Sequence, residues 1–241
     1  MTILITGATG FIGSSLARKL LADGQTVRVL TRNPAGLEQV GLAGKVEVAQ
    51  GDITDGEAVG RAVAGCGLVY AIAGTFREPN LSDARYHEVN VGAVEVMLRA
   101  ASANGVKRVV HCSTCGIHGN VPLGQSVSED DPLKGVGIYE ETKAAGDKLA
   151  RTLGAELGVE VAVIRPTQVY GPGDTRLLKL FKMADKDRPL IIGSGKGGYH
   201  LVYIDDLVDA FVLAGTSDRA AGEAFLEPVV IRQFNRRGDW L

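Results

Sequence analysis

The stretch Thr6-Gly7-Ala8-Thr9-Gly10-Phe11-Ile12-Gly13 constrains the fold more than any other part of the chain. An apolar run, Met1-Thr2-Ile3-Leu4-Ile5, leads into it, and a segment of helical periodicity, Phe11 to Leu21, leads out. A strand, a glycine-rich turn and a helix start in that order make a site for a pyrophosphate. Backbone N–H groups at a helix N-terminus point at the anion, and the helix dipole favours negative charge there. Gly7 permits the tight turn, Gly10 lets the backbone approach the phosphates, and Gly13 lets helix and strand pack closely. The spacing is Gly-x-x-Gly-x-x-Gly, one residue wider in its first half than the commoner Gly-x-Gly-x-x-Gly. Since 32 of 241 residues are glycine, the flanking strand and helix carry the assignment. Without a ligand, the same residues are a plain strand-to-helix turn.

Length and composition bound the rest. A chain of 241 residues suffices for one sizeable α/β domain. A formal net charge of −2 offers no broad attraction for nucleic acid or an anionic membrane. Charged residues interrupt every apolar run before it reaches a membrane-spanning length. The sequence enters a strand at once, leaving no room for a signal peptide, so the expected location is cytoplasmic. Three cysteines, Cys66, Cys112 and Cys115, argue against a disulfide framework. Cys112 and Cys115, flanked by His111 and His118, form a Cys-x-x-Cys. In a strand over Arg108–Ser113, His111 and Cys112 point to opposite faces, and a structural zinc needs four converging ligands, so no metal site is expected.

Strand-like runs near 2–6, 26–31, 45–49, 67–72, 107–113 and 160–165 alternate with helical stretches near 11–23, 55–64, 83–104, 139–157 and 205–215. This alternation predicts an α/β fold: a doubly wound parallel sheet of the Rossmann type with helices on both faces. Runs such as Val161-Ala162-Val163-Ile164 suit strands covered on both sides. Ligands then belong at the C-terminal ends of the strands. The expected division is one domain over 1–241, with a dinucleotide-binding core at 1–165 and 199–215. The substrate-binding portion is expected at 166–198 and 216–241. The glycine- and proline-rich stretches 121–137 and 170–198 read as an exposed loop and an excursion over the sheet.

Several residues at those strand ends carry chemistry. After the second strand, where an adenosine ribose would lie, Thr31-Arg32-Asn33 holds no acidic residue to accept bonds from ribose hydroxyls. Arg32 instead suits a 2′-phosphate, which favours NADP over NAD; otherwise it is a solvated arginine. Asp52 can accept from an adenine amino group, or serve as a turn residue, and Ile53 can pack on the ring. Asp55 suits the cap of the next helix. Ala71 and Ala73 leave room for a flat cofactor. Tyr139 and Lys143, at i and i+4, share one helix face. A phenol is a poor base at neutral pH because its unperturbed pKa is about 10. A nearby ammonium lowers it, giving a proton donor and acceptor beside a carbonyl or alcohol. Ser113 and Thr114 end the fifth strand, where a hydroxyl can hold a substrate oxygen or cap the strand end.

With these residues in place, the chain resembles the extended short-chain dehydrogenase/reductases over about residues 2 to 225. That group comprises nucleotide-sugar epimerases and dehydratases, with dihydroflavonol-reductase-like and 3β-hydroxysteroid-dehydrogenase-like relatives. The markers are Thr6–Gly13, Gly51-Asp52-Ile53-Thr54-Asp55, Asn90-Val91-Gly92 and Ser113–Gly119. They continue with Tyr139-x-x-x-Lys143, Arg165-Pro166-Thr167-Gln168-Val169-Tyr170-Gly171-Pro172-Gly173-Asp174 and His200–Leu207. The resemblance implies that Thr114, five positions before Gly119, holds the substrate oxygen. It makes Tyr139 the acid/base, with Lys143 lowering its pKa and holding the nicotinamide ribose. Pro166 and Thr167 flank the carboxamide, and Asn90 supports the central helix and the cofactor-binding site. Gly7, Thr9, Gly10, Phe11, Ile12 and Gly13 surround the cofactor diphosphate. It also implies a homodimer through helices 83–104 and 139–157.

Three departures from the pattern stand out. Thr31-Arg32 occupy a place that is often acidic. His118 replaces the usual tyrosine. After Gly222-Glu223-Ala224-Phe225 the chain ends sooner than the family does, with Arg232, Arg236 and Arg237 in the remainder. A truncated or diverged substrate-binding portion is therefore expected. The reading that follows is a nicotinamide-dependent oxidoreductase, epimerase or dehydratase acting at a hydroxyl or carbonyl carbon of a nucleotide sugar or small ketone. The rival is a non-catalytic NAD(P)-binding regulator or sensor. The sequence names neither the substrate nor the choice among reductase, epimerase and dehydratase.

Overall fold

Seven strands form one parallel sheet in a computed structural model, which describes residues 1–78, 80–122, 124–185 and 200–226. The expectations placed on 186–198 and 227–241 lie outside the described residues. The strands are β1 (Thr2–Thr6), β2 (Thr26–Thr31), β3 (Glu47–Gln50), β4 (Cys66–Ala71), β5 (Arg108–Cys112), β6 (Glu160–Arg165) and β9 (Ala224–Leu226). Their spatial order is β3-β2-β1-β4-β5-β6-β9. A small separate pair, β7 (Gln168–Tyr170) and β8 (Leu201–Tyr203), is also parallel. The helices are α1 (Phe11–Ala22), α2 (Gly36–Gln39), α3 (Gly56–Val63), α4 (Asp83–His87), α5 (Ala93–Ala103), α6 (Ile138–Leu157), α7 (Leu178–Ala184) and α8 (Ile204–Thr216).

Alternation along each strand sends side chains to two cores. Ile3, Ile5, Val29, Tyr70 and Val110 face α1 and α8, meeting Leu16, Leu20, Leu207 and Phe211. Leu4, Leu30, Val69, Val109 and Val161 face α3, α5 and α6, meeting Val59, Met97, Leu98 and Leu153. Both faces are covered, which is why the strands read as continuous apolar runs. The order reverses on either side of β1, between β2 and β4. A crevice opens there at the strand C-termini, and it is the place where such sheets take ligands.

Several features differ from the expectation, among them the short helices α2 and α7. The single helix expected over 83–104 is α4 and α5 joined by a π turn at Glu88–Gly92. The extra residue in that turn re-aims Asn90, as described below. The three-residue strands β7, β8 and β9 were not read from the sequence, being too short for any periodicity to register. No described helix is long and apolar enough to cross a membrane.

Candidate functional site

The glycine turn is built by contacts between β1 and β4. The Thr6 hydroxyl oxygen accepts from the backbone N–H groups of Ile72 and Ala73, both at 3.1 Å. Gly7 sits at φ +76°, and a Cβ on it would lie 2.8 Å from the Ala73 nitrogen. Only glycine fits that combination. Gly10 N–H closes the turn on the Gly7 carbonyl at 3.0 Å, and Ser14 N–H makes the first helical bond, to Gly10, at 2.9 Å. The N–H groups of Phe11, Ile12 and Gly13 therefore precede the helical ladder, and no side chain caps them. They open on a groove of about 400 Å³ lined by Gly7, Thr9, Gly10, Phe11, Ile12 and Gly13. This cradle fits a dinucleotide diphosphate: it supplies free donors, and α1 carries no acidic side chain in its first turn. A Cβ on Gly13 would collide with the Gly7 carbonyl. Gly13→Ala is thus expected to cost about 1–3 kcal/mol of stability by overpacking and to remove dinucleotide binding, as read by urea unfolding and by titration.

Arg32, Asp52 and Ile53 line the same groove, together with Ala73. Asp52 accepts from Thr54 N–H at 3.0 Å, from the Thr54 hydroxyl at 2.9 Å and from Arg85 Nη2 at 3.1 Å. Burial alone would raise the Asp52 carboxyl, but these bonds outweigh it and hold it below its ordinary value. Arg32 lies 3.9 Å from the same carboxylate, with most of its side chain in solvent. Arg85, which no motif singles out, thus brings a second guanidinium to this corner. Asp55 caps α3, accepting from Glu57 and Ala58.

A second cleft, of about 420 Å³, adjoins the groove and is lined by Thr114, Tyr139, Lys143, Pro166 and Thr167. Ile12, Ile72, Gly74, Thr75 and Arg176 line both. Thr114 is partly open to the cleft, whereas Ser113 is buried. Tyr139 lies in the first turn of α6, and its ring meets Phe76 edge-on at 5.0 Å between centroids. Burial raises the phenol well above its ordinary value; the Cys112 thiol and Glu140 act in the same direction, while Thr114 and Arg77 oppose them. Burial, rather than Lys143, dominates the direction of the phenol. Lys143 Nζ donates to the Cys112 carbonyl at 2.6 Å, and the cation acting on the phenol is Arg77, itself paired with Glu140 at 2.7 Å. Burial also lowers the Lys143 ammonium, against the opposing pull of Cys112 and Asp147.

Asn90 and Ala71 line neither the groove nor the cleft. They border a small interior cavity of about 30 Å³ that also touches Lys143 and His111. From the π turn, Asn90 Oδ1 accepts from Thr75 N–H at 2.9 Å, and its Nδ2 donates to the Thr142 hydroxyl at 3.1 Å. Asn90 therefore ties the β4 loop to α6 one residue before Lys143. Beneath the cleft, Arg165 and Asp147 are each 1% exposed and form a two-bond ion pair at 2.8 and 2.9 Å. Arg165 Nη1 also donates to the Glu129 carbonyl at 2.7 Å, pinning the loop before α6. His111 faces this side of the sheet, while Cys112 packs in the opposite core.

The sequence profile of the NAD dependent epimerase/dehydratase family matches residues 3–226. The 3 beta-hydroxysteroid dehydrogenase/Delta 5→4-isomerase of Mycobacterium tuberculosis is 29% identical, over 97% of this chain and 67% of that protein. The UDP-glucose 4-epimerase of Mycolicibacterium smegmatis is 31% identical, over 89% of this chain and 73% of its own length. Among solved structures, the dTDP-glucose 4,6-dehydratase of Streptomyces venezuelae with NAD and TYD bound superposes with a TM-score of 0.80. It is 29% identical and covers 94% of this chain and 75% of that one. The chain spans about half to two thirds of the length of the curated relatives it matches first, at 53% and 67%. With a doubly wound sheet, an open-ended glycine turn and a profile match over nearly its whole length, the chain belongs to the NAD dependent epimerase/dehydratase family.

Proposed function

We propose that the protein is a nicotinamide-dependent oxidoreductase or epimerase acting at a carbon that bears a hydroxyl or carbonyl. The observation that carries this reading is the junction of the two cavities: the glycine-turn groove runs into the cleft holding Thr114, Tyr139 and Lys143. A bound nicotinamide supplies or accepts the hydride at the reacting carbon. Gly7, Thr9, Gly10, Phe11, Ile12 and Gly13 hold the diphosphate. Asp52 and Ile53 receive the adenine, Lys143 the nicotinamide ribose, and Pro166 and Thr167 the carboxamide. Thr114 positions the substrate oxygen. Tyr139 donates its phenolic proton to a carbonyl oxygen as the alcohol forms, and takes a proton back in the reverse direction. The raised phenol suits the donor role, because it stays protonated at neutral pH. Relatives named for UDP-glucose and dTDP-glucose favour a nucleotide sugar as substrate. The direct test supplies NADH or NADPH with UDP-glucose-derived 4-ketosugars or simple ketones and follows absorbance, and in parallel supplies NAD or NADP with UDP-glucose and follows epimerisation at the hydroxyl carbons; no cofactor oxidation by any carbonyl together with no epimerisation contradicts the reading.

Arg32 and Arg85 beside Asp52 favour a 2′-phosphate, and so NADP. Arg32→Ala is expected to weaken NADPH binding about 10-fold and leave NADH unchanged, as a lost charge-assisted bond predicts. Equal losses for both cofactors in fluorescence titrations contradict that preference. The proposed assembly is a homodimer through α4, α5 and α6, and light scattering showing a monomer at micromolar concentration contradicts it.

A further inference from the structure

Arg176 stands where the two cavities meet, in the loop between β7 and α7. Its guanidinium carbon is 5.8 Å from the centroid of the Phe11 ring and 5.7 Å from that of the Phe76 ring. Both distances lie within cation–π range. Phe11 is the first residue of α1, directly behind Gly10. Phe76 comes from the loop after β4 and rests on Tyr139. One cation thus joins the wall of the dinucleotide groove to the wall of the substrate cleft. Its Nε donates to Asp174 Oδ1 at 3.0 Å, and that carboxylate is fixed in turn by the N–H groups of Arg176 and Leu177 at 3.0 and 3.2 Å. The Asp174 side chain is only 3% exposed. Among the described residues, the two terminal nitrogens of Arg176 have no hydrogen-bond partner, and Arg176 borders the groove into which the α1 N-terminus opens.

We propose that Arg176 is a strap across the dinucleotide groove, closing over the solvent side of the cofactor diphosphate so that a bound dinucleotide leaves slowly. The inference rests on the dinucleotide reading above and deepens it. A diphosphate seated on the N–H groups of α1 has one face on the protein and the other toward water. A planar guanidinium whose terminal N–H donors have no partner among the described residues matches that second face in charge and in geometry. Asp174 and the two rings hold the guanidinium at the groove before the ligand arrives, so little side-chain freedom is lost on binding. A cofactor held between turnovers suits a reaction that returns the hydride to the same substrate and regenerates the cofactor in place.

The test uses the full chain as wild type, Arg176→Ala and Arg176→Lys. Each is loaded with NADH or NADPH and mixed with excess ADP-ribose, and release is followed by fluorescence. UDP-glucose affinity is measured in parallel by calorimetry. Arg176→Ala is expected to release the reduced cofactor about 10- to 100-fold faster, with UDP-glucose affinity unchanged. Arg176→Lys, which keeps the charge and loses the planar fork, is expected to fall between. A melting temperature of the ligand-free variants equal to wild type excludes a folding defect, as a half-exposed side chain predicts. Release within about two-fold of wild type in Arg176→Ala overturns the strap while leaving the dinucleotide reading intact. Unchanged release with weakened UDP-glucose binding also overturns it, and assigns Arg176 to a substrate phosphate. A wild-type protein that binds neither NADH nor NADPH overturns both.

Discussion

Tyr139→Phe is expected to lower kcat/KM by about 10²- to 10⁴-fold while leaving dinucleotide affinity within about two-fold of wild type. The substitution removes one oxygen and keeps the ring that packs edge-on against Phe76, so α6 and the cleft wall keep their shape. In the proposed reaction, what is lost is the proton that reaches the substrate oxygen as hydride reaches carbon. The pH profile gives a second reading of the same group. Burial holds the phenol above its ordinary value, so it remains an acid across the working range. In the carbonyl-reducing direction, kcat/KM should show no falling limb from Tyr139 below about pH 10. A phenol pulled down by Lys143 would instead produce that limb near neutrality. Undiminished turnover in Tyr139→Phe removes the residue from the chemistry, whatever the pH profile. Loss of turnover with intact cofactor binding separates an enzyme from a non-catalytic cofactor sensor.

Asp147→Ala is expected to destabilise the protein by about 3–5 kcal/mol, because it leaves the Arg165 guanidinium charged and unpaired where it is 1% exposed. Replacing both partners, as Asp147→Leu with Arg165→Met, should recover much of that loss, since neither charge is then buried. Equal losses in the single and double variants, measured by urea unfolding, contradict the account. The pair also fixes the response to acid. Burial alone would raise the Asp147 carboxyl, but its bonds to Arg165 prevail and hold it below its ordinary value. A lowered carboxyl contributes stability that is complete above its unfolded value of about 3.9 and is lost as pH falls through the folded value. Burial lowers His111 to about 3, helped by Lys143 and opposed by Asp147. The unfolded imidazole takes a proton near pH 6.5, so that contribution is lost from there down to about 3. Acid unfolding should therefore begin below neutrality, first through His111 and then through Asp147. His111→Leu should flatten the upper part of that pH dependence.

The sheet and the turn were legible because their signals are local. Strand β1, Gly7, Gly10, Gly13 and helix α1 follow one another directly, and each glycine answers to a contact of its own backbone. The Tyr139 and Lys143 spacing is likewise a property of one helix. Residues defined by distant partners stayed hidden. Arg85 matters because of Asp52, 33 positions away, and Arg77 because of Glu140, 63 positions away. Arg176 joins Phe11 to Phe76 across three separate segments. An i, i+4 spacing brings Lys143 to the phenol's helix face but carries no information on the burial of the ring. In the fold, burial decides. The resemblance gives Asn90 a supporting role, and its partners, Thr75 and Thr142, are visible only once the π turn directs it inward.

In the proposed reading, one crevice holds a dinucleotide at the α1 N-terminus and delivers its nicotinamide to Tyr139. Crystals grown with NADPH or NADH test it most directly. The account predicts the diphosphate on the N–H groups of Phe11, Ile12 and Gly13, and the nicotinamide C4 facing a space bounded by Tyr139 and Thr114. A substrate carbon would then sit about 3–3.5 Å from it. A saturating cofactor bound elsewhere, or a Tyr139 hydroxyl directed away from that space, contradicts it.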